Sequence, residues 1–178
     1  MGGFIYVTTG LLENRDLVRN EAQLFNVLAH EVGHLDLRHI ALVIEQMERF
    51  GFRFDDPNQQ LDLANLLFLL RQAYSKEREA EADLYAYEKM KAIGYSNLQV
   101  ADRWQQLGRN DNLVENQAQD IFGLVLSEAS QVFQSHPHAQ ERSCNYFSWL
   151  RESPPNYEKA YIGTANFENR ISAFEQLY

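Results

Sequence analysis

The chain has 178 residues, with 25 Asp and Glu against 16 Lys and Arg and a formal net charge of −9 at pH 7. This length suits one domain with a buried core, and the acidic balance argues against binding of nucleic acid or of an anionic membrane surface. The one cysteine, Cys144, leaves neither a disulfide framework nor a cysteine metal cluster, and we interpret it as a small buried thiol.

The sequence contains no apolar run of the length that a membrane span requires. The nearest one, Leu61 to Leu70, is short and carries Asp62 and Asn65. Met1-Gly2-Gly3 leads directly into a strand-like segment, so we expect no signal peptide. The sequence therefore leaves the compartment open.

The first predicted element is a strand. Gly3 to Thr9 is β-branched and aromatic, and Gly10 closes it. A lone strand leaves its backbone groups unpaired, so either upstream strands are missing from this chain or another molecule supplies the partner. We therefore predict that the edge at Phe4–Thr9 pairs with a second chain in a homo-oligomer.

Helices are predicted for most of the remaining chain. In order they are Leu11 to Val18, a helix capped by Asn20 and Gln23 that runs through His39 towards Arg49, Leu61 to Tyr74, Lys76 to Ala92 between Ser75 and Gly94, Asn97 to Leu107, Ile121 to Phe133, Gln140 to Arg151, and Phe167 to Leu177. The fold is thus predicted to be mainly α (α+β), with a minimal β element at the N-terminus. We expect a single domain over residues 1–178, with strand and turn in 1–12, helices in 13–151 and a C-terminal extension in 152–178.

The long helix that begins near Asn20 carries the segment His30-Glu31-Val32-Gly33-His34. Residues four apart lie one turn above each other, so His30 and His34 point the same way and can hold one zinc ion. Glu31, about 100° round the helix, can reach a water at that ion. Apolar neighbours on nearly every side indicate a buried helix, in which these polar groups need partners. The alternative is a pair of core histidines with a chance glutamate between them.

A catalytic zinc needs a third protein ligand, and the predicted helix over Lys76 to Ala92 offers two carboxylates. Glu79 and Asp83 lie one turn apart on an apolar face, whereas three further acids, Glu77, Glu81 and Glu88, form an ordinary solvated stripe. One buried carboxylate can ligate zinc while the other accepts the spare N–H of a ligand histidine. The alternative is that both acids merely pair with arginines.

Together, the histidine motif and Glu79-Ala80-Glu81-Ala82-Asp83 resemble the gluzincin family of zinc metallopeptidases. That family includes the heat-shock protease HtpX, the CAAX prenyl proteases and the periplasmic protease-chaperone BepA. Three more stretches resemble it in family order. They are Gly2 to Leu12, the helix approach from Asn20 to Ala29, and His136-Pro137 followed by Arg142.

The resemblance implies one zinc ion per chain, with His30, His34 and Glu79 as ligands. It implies that Glu31 is the general base, which takes a proton from water and passes it to the leaving amine. Asp83 takes the supporting role, in which it holds a ligand histidine by its second ring nitrogen.

His136 and Arg142 match residues that face the metal from the opposite wall of the cleft. Arg142 would stabilise the oxyanion, whereas His136 could either assist in this or occupy the open zinc position, or only pack beside Pro137. His138 is a lesser candidate in the same turn. His39, about 140° round the predicted continuous helix from the second motif histidine, is interpreted as packed or exposed and not as a ligand.

The resemblance implies a zinc-dependent metalloendopeptidase that hydrolyses peptide bonds of protein substrates, with protein quality control as its setting. Two alternatives stay open: a zinc-bound but occluded chaperone-like or interaction module, and a helical domain without metal. The absence of a hydrophobic anchor suggests a soluble member or a soluble piece of one. Family habit favours the bacterial periplasm, although no export signal is present.

Overall fold

A computed structural model describes residues 4–13, 15, 17–49, 51, 75–110, 139–154 and 159–169. The predicted helices Leu61 to Tyr74 and Ile121 to Phe133 lie outside these ranges. Within them the chain forms the helices α1 Thr9–Glu13, α2 Glu21–Asp36, α3 His39–Arg49, α4 Lys76–Ile93, α5 Asn97–Asn110, α6 Ala139–Glu152 and α7 Thr164–Glu168. The predicted mainly helical class is confirmed.

The N-terminus of α2 has the cap that the sequence predicts. Asn20 is extended, and its side-chain Oδ1 accepts a hydrogen bond of 2.9 Å from the backbone N–H of Gln23. The Gln23 side chain accepts a 2.8 Å bond from the backbone N–H of Arg19, one residue before the cap. Two backbone donors at the helix start are thereby satisfied, which fixes where α2 begins.

Two close helix pairs, α2 with α4 and α5 with α6, make up the packed unit. Both contacts depend on a glycine. A Cβ at Gly33 would lie 3.1 Å from the Tyr85 ring and 3.3 Å from the backbone of Ala82, and one at Gly108 would lie 2.9 Å from the backbone N of Gln140. The core between the pairs consists of Ala22, Tyr87, Met90, Val100, Ala101, Tyr146 and Leu150.

The predicted N-terminal strand is wrong. Residues 4–8 form no strand, α1 begins at Thr9, and Phe4 and Tyr6 are more than four-fifths exposed. In the part of the chain that the structure describes, β pairing is confined to one isolated parallel bridge, between Tyr95 and Tyr161. The composition of the segment favours extended backbone, but a strand also needs a partner, which composition does not specify. The predicted homo-oligomer was based on this strand edge and is left without that basis.

The long helix predicted from Asn20 to Arg49 is divided into α2 and α3. The break lies at Leu37 and Arg38, where Arg38 adopts a left-handed conformation with φ 58°. The backbone N–H groups of these two residues bond to the carbonyls of Gly33 and Leu35, which closes the end of α2. No glycine or proline marks this turn, so the sequence predicts one continuous helix across it.

Several smaller expectations also differ from the structure. Cys144 is exposed on α6 and is not a buried thiol. Ser75 precedes α4 in an extended conformation, but its side chain makes no capping hydrogen bond. The predicted C-terminal helix over Phe167 to Leu177 overlaps α7, and residues 170–178 lie outside the described ranges. No described helix combines the length and apolar character that crossing a membrane requires.

Candidate metal centre

Three side chains of α2 and α4 bring potential metal ligands together. His30 and His34 lie on successive turns of α2, and Glu79 lies in the first turn of α4. The two Nε2 atoms are 3.1 Å apart, and the Glu79 carboxylate lies 3.3 Å from His30 Nε2 through Oε2 and 3.1 Å from His34 Nε2 through Oε1. All three side chains are buried. Of the two candidate carboxylates, Glu79 is the one that lies beside the Nε2 atoms of both histidines.

This arrangement fits zinc in geometry and in chemistry. With bonds of about 2.0–2.1 Å to nitrogen and oxygen, the donor atoms of a tetrahedral zinc site lie roughly 3.3 Å from one another. The observed separations of 3.1–3.3 Å match that spacing. Glu79 is fully buried, and a carboxylate in such a position needs a compensating cation. Two histidines and one glutamate are also a known donor set of catalytic zinc, which keeps one coordination position open.

His30 is supported on the side away from the other donors. Its Nδ1 lies 2.9 Å from Oδ1 of Asp83, and Arg142 binds both oxygens of that carboxylate, with Nε 2.7 Å from Oδ2. The guanidinium also stacks on the Trp104 ring at 3.8 Å. Burial lowers the pKa of His30, but hydrogen bonds to Asp83 and Glu79 outweigh it and raise the pKa to about 9.

Arg142 lies on a different side of the site from the one the resemblance implied. Its Nη2 is 3.3 Å from Nδ1 of His30, whereas the ring atom that faces Glu79 is Nε2. The guanidinium therefore lies on the Nδ1 side of the His30 ring, away from the three potential donor atoms. Asp83 explains the difference, because a fully buried carboxylate needs a cation at hydrogen-bonding distance. The predicted residues His136 and His138 lie outside the described part of the chain.

His39 is the residue whose place in the site the sequence reasoning missed. It is 1% exposed, and its Nδ1 lies 2.8 Å from Nδ1 of His34. Its Nε2 lies 3.1 Å from Oε2 of Glu81, an acid that is exposed as predicted. The angle of about 140° assumed one continuous helix, and the left-handed turn at Arg38 removes that assumption. The only signal in the sequence is a third histidine soon after the motif pair.

Glu31 lies beside an open cleft of about 740 Å³ that also reaches His34. The walls of the cleft come from residues 4–8, α1, Leu17 before α2, α2 itself and the start of α3. Most of its side chains are apolar: Phe4, Ile5, Val7, Leu11, Leu17, Val27, Leu28, Leu35 and Ile40. The structure thus gives the predicted general base and one predicted metal ligand a shared opening to solvent.

Comparisons with known proteins agree with this site. The model of peptidase family M48 matches residues 1–145. The mitochondrial metalloendopeptidase OMA1 of Arabidopsis thaliana is 30% identical over 149 residues, which cover 79% of this chain and 26% of that protein. The chain therefore spans about a quarter of the length of this curated relative. No solved structure gives a significant match.

The family match covers the helices that carry all the donor atoms described above. It agrees with the predicted gluzincin resemblance and with zinc as the predicted cofactor, because this is a family of zinc metallopeptidases. The chain belongs to peptidase family M48.

Proposed function

We propose that this chain is the catalytic unit of a zinc metalloendopeptidase and that one zinc ion binds to His30, His34 and Glu79. One observation carries the proposal. The donor atoms of these three buried side chains lie at separations that suit zinc, and Glu31 lines an open cleft together with His34. An occluded binding module would not need that opening, so the cleft favours the enzyme over the alternative.

In this proposal zinc supplies Lewis acidity, which polarises a carbonyl and makes water more acidic. Glu31 then accepts the proton of the attacking water and passes it to the leaving amine. Asp83 keeps His30 in place by accepting its Nδ1–H, and Arg142 holds Asp83 through both carboxylate oxygens. We assign Arg142 to this support and not to the oxyanion.

The cleft also supports a class of substrate. Val27 and Leu28 of α2 are only partly buried and Leu35 is exposed, although the sequence predicts a helix that is buried on nearly every side. Residues 4–8 add Phe4 and Val7 from the facing wall. A cleft of this kind suits an extended polypeptide with apolar side chains near the scissile bond, and such segments are accessible in unfolded proteins. We therefore propose unfolded protein segments as substrates.

The first prediction tests Glu31 on an unfolded protein such as casein. Glu31→Gln keeps the shape of the side chain but cannot accept the proton, so zinc content stays at one ion per chain and turnover falls by about 10²–10⁴-fold. We expect a chelator to abolish cleavage by the unaltered protein and added zinc to restore it. Glu88→Gln, an exposed acid on α4, serves as the matched control and retains activity. Cleavage by Glu31→Gln at the level of this control would rule out Glu31 as the base.

A further inference from the structure

His39, the buried histidine at the start of α3, lies between the proposed zinc ligand His34 and Glu81 on the exposed side of α4. His34 Nδ1 and His39 Nδ1 are 2.8 Å apart, and His39 Nε2 is 3.1 Å from Glu81 Oε2. The rings of His34 and His39 meet edge to face, with centroids 4.8 Å apart. The three side chains come from α2, α3 and α4, so this row of contacts ties three helices to one metal ligand.

The ring atoms in this row determine where the protons lie once Nε2 of His34 binds zinc. A neutral imidazole that ligates through Nε2 carries its proton on Nδ1 and donates it. The atom 2.8 Å away, His39 Nδ1, must then accept. His39 in turn carries its own proton on Nε2 and donates it to the Glu81 carboxylate, the nearest acceptor at 3.1 Å.

We infer that His39 is a positioning residue, which fixes the ring of His34 for zinc by accepting its Nδ1–H, and that Glu81 fixes His39 in the required tautomer. The inference rests on the proposed zinc site. It makes the two ligand histidines unequal, because His30 is held by a buried carboxylate and His34 by a neutral ring. Partners of this kind typically contribute 10–100-fold to metal affinity. Glu81 is 62% exposed, so its share is the smaller one.

Two near-isosteric variants separate the hydrogen bond from packing. Asn Oδ1 can occupy the place of His39 Nδ1 and accept from His34, whereas Leu fills similar space without an acceptor. We expect His39→Leu to weaken zinc binding by about 10–100-fold in competition with a chelator, and His39→Asn to stay within a few-fold of the unaltered protein. Glu81→Ala should weaken binding by a few-fold, and Glu77→Ala, on the same exposed stripe, should leave binding unchanged.

The second measurement is made on the unaltered, zinc-loaded protein, so it does not depend on how the variants fold. Nitrogen NMR of the histidine rings should show His39 with a proton on Nε2 and none on Nδ1, and a coupling between the Nδ1 atoms of His34 and His39. A proton on His39 Nδ1, or equal zinc affinity in the Leu and Asn variants, would overturn the inference while leaving the zinc site intact. Absence of zinc binding by the unaltered protein would instead overturn the proposed function, and this inference with it.

Discussion

At the scale of single residues, Glu79 and Glu77 show how burial separates two acids of the same helical turn. Glu79 is fully buried against two histidines, whereas Glu77 is exposed. A carboxylate with no access to water is stable only when a cation or several donors compensate it. The same residue type is thus placed to donate to a metal ion at one position and is a solvated side chain two positions away.

The second prediction compares these two acids. Glu79→Gln removes the anionic ligand, so the purified variant should lose most of its zinc, and any zinc that remains should exchange rapidly with a chelator. Glu77→Gln should keep one zinc per chain. Metal analysis of the two proteins, purified in parallel, provides the measurement. Equal zinc content in both variants would mean that a different side chain is the third ligand.

The helical period was enough to single out the two candidate carboxylates but not their surroundings. Placing residues every 100° on a wheel put Glu79 and Asp83 on one buried face, and both side chains are fully buried in the structure. The wheel gave no information on which helix would pack against Asp83, so the position of Arg142 could not be derived. The contact of His39 with His34 depends on a turn, and helical periodicity does not describe turns.

At the scale of helices, Gly33 determines how closely α2 can approach α4. Glu79 and Asp83 reach the motif histidines because the two backbones are close at this point, where a Cβ would meet both Tyr85 and Ala82. Elsewhere in a helix, replacing glycine with alanine stabilises the fold by about 0.5–1 kcal/mol, because glycine loses more conformational entropy. The contact at Gly33 should reverse the sign of that effect.

The third prediction follows from this reversal. Gly33→Ala should lower the free energy of unfolding by about 1–3 kcal/mol and weaken zinc binding, because α2 and α4 must separate by a few tenths of an ångström. Gly10→Ala in α1 is the control, since its Cβ would meet only Thr8 Oγ1 at 3.9 Å. Chemical unfolding of both variants tests the prediction. Stabilisation by Gly33→Ala would show that Tyr85 and the backbone of α4 can shift away from the added Cβ without a loss of stability.

Helix limits were predictable where side chains mark them and not elsewhere. Asn20 and Gln23 mark the start of α2, and Gly94, with φ 86°, marks the end of α4. Arg38 adopts the left-handed conformation without being glycine or asparagine, so nothing in the sequence indicated that α2 stops before His39. The N-terminal strand failed for a related reason, because strand pairing depends on residues that are distant in the sequence.

At the scale of the whole molecule, the buried charges make stability depend on pH when the metal is removed. The pKa of His30 in the folded metal-free chain is about 9, above the ordinary value of 6.5. A raised pKa in the folded state means that the protonated ring stabilises the fold. That contribution is fully present below pH 6.5 and is lost as the pH rises through 9. Burial lowers the pKa of His39 below its ordinary value of 6.5, so the titration of His39 does not contribute to the change in stability between pH 6.5 and 9.

The fourth prediction follows from this loss of stability as the pH rises. In the presence of a chelator, the Tm should fall as the pH is raised from 6.5 to 9. With zinc bound, His30 Nε2 is occupied by the metal, so this decrease should disappear. Zinc binding near neutral pH should also release a proton from His30, which calorimetry in buffers of different ionisation enthalpy can detect. A chelated protein whose Tm rises over the same pH range would contradict the assignment.

The support of His30 joins parts of the chain that are made at different times. Asp83 and Arg142 are 59 residues apart in sequence, and His30 and Arg142 are 112 apart. At about 5–20 residues per second, a ribosome needs on the order of ten seconds to pass from the first of these to the last. During that interval the growing chain already carries both motif histidines but cannot yet pair Asp83 with its arginine. A nascent or prematurely terminated chain that lacks Arg142 therefore carries His30 and Asp83 without the guanidinium that contacts both of them.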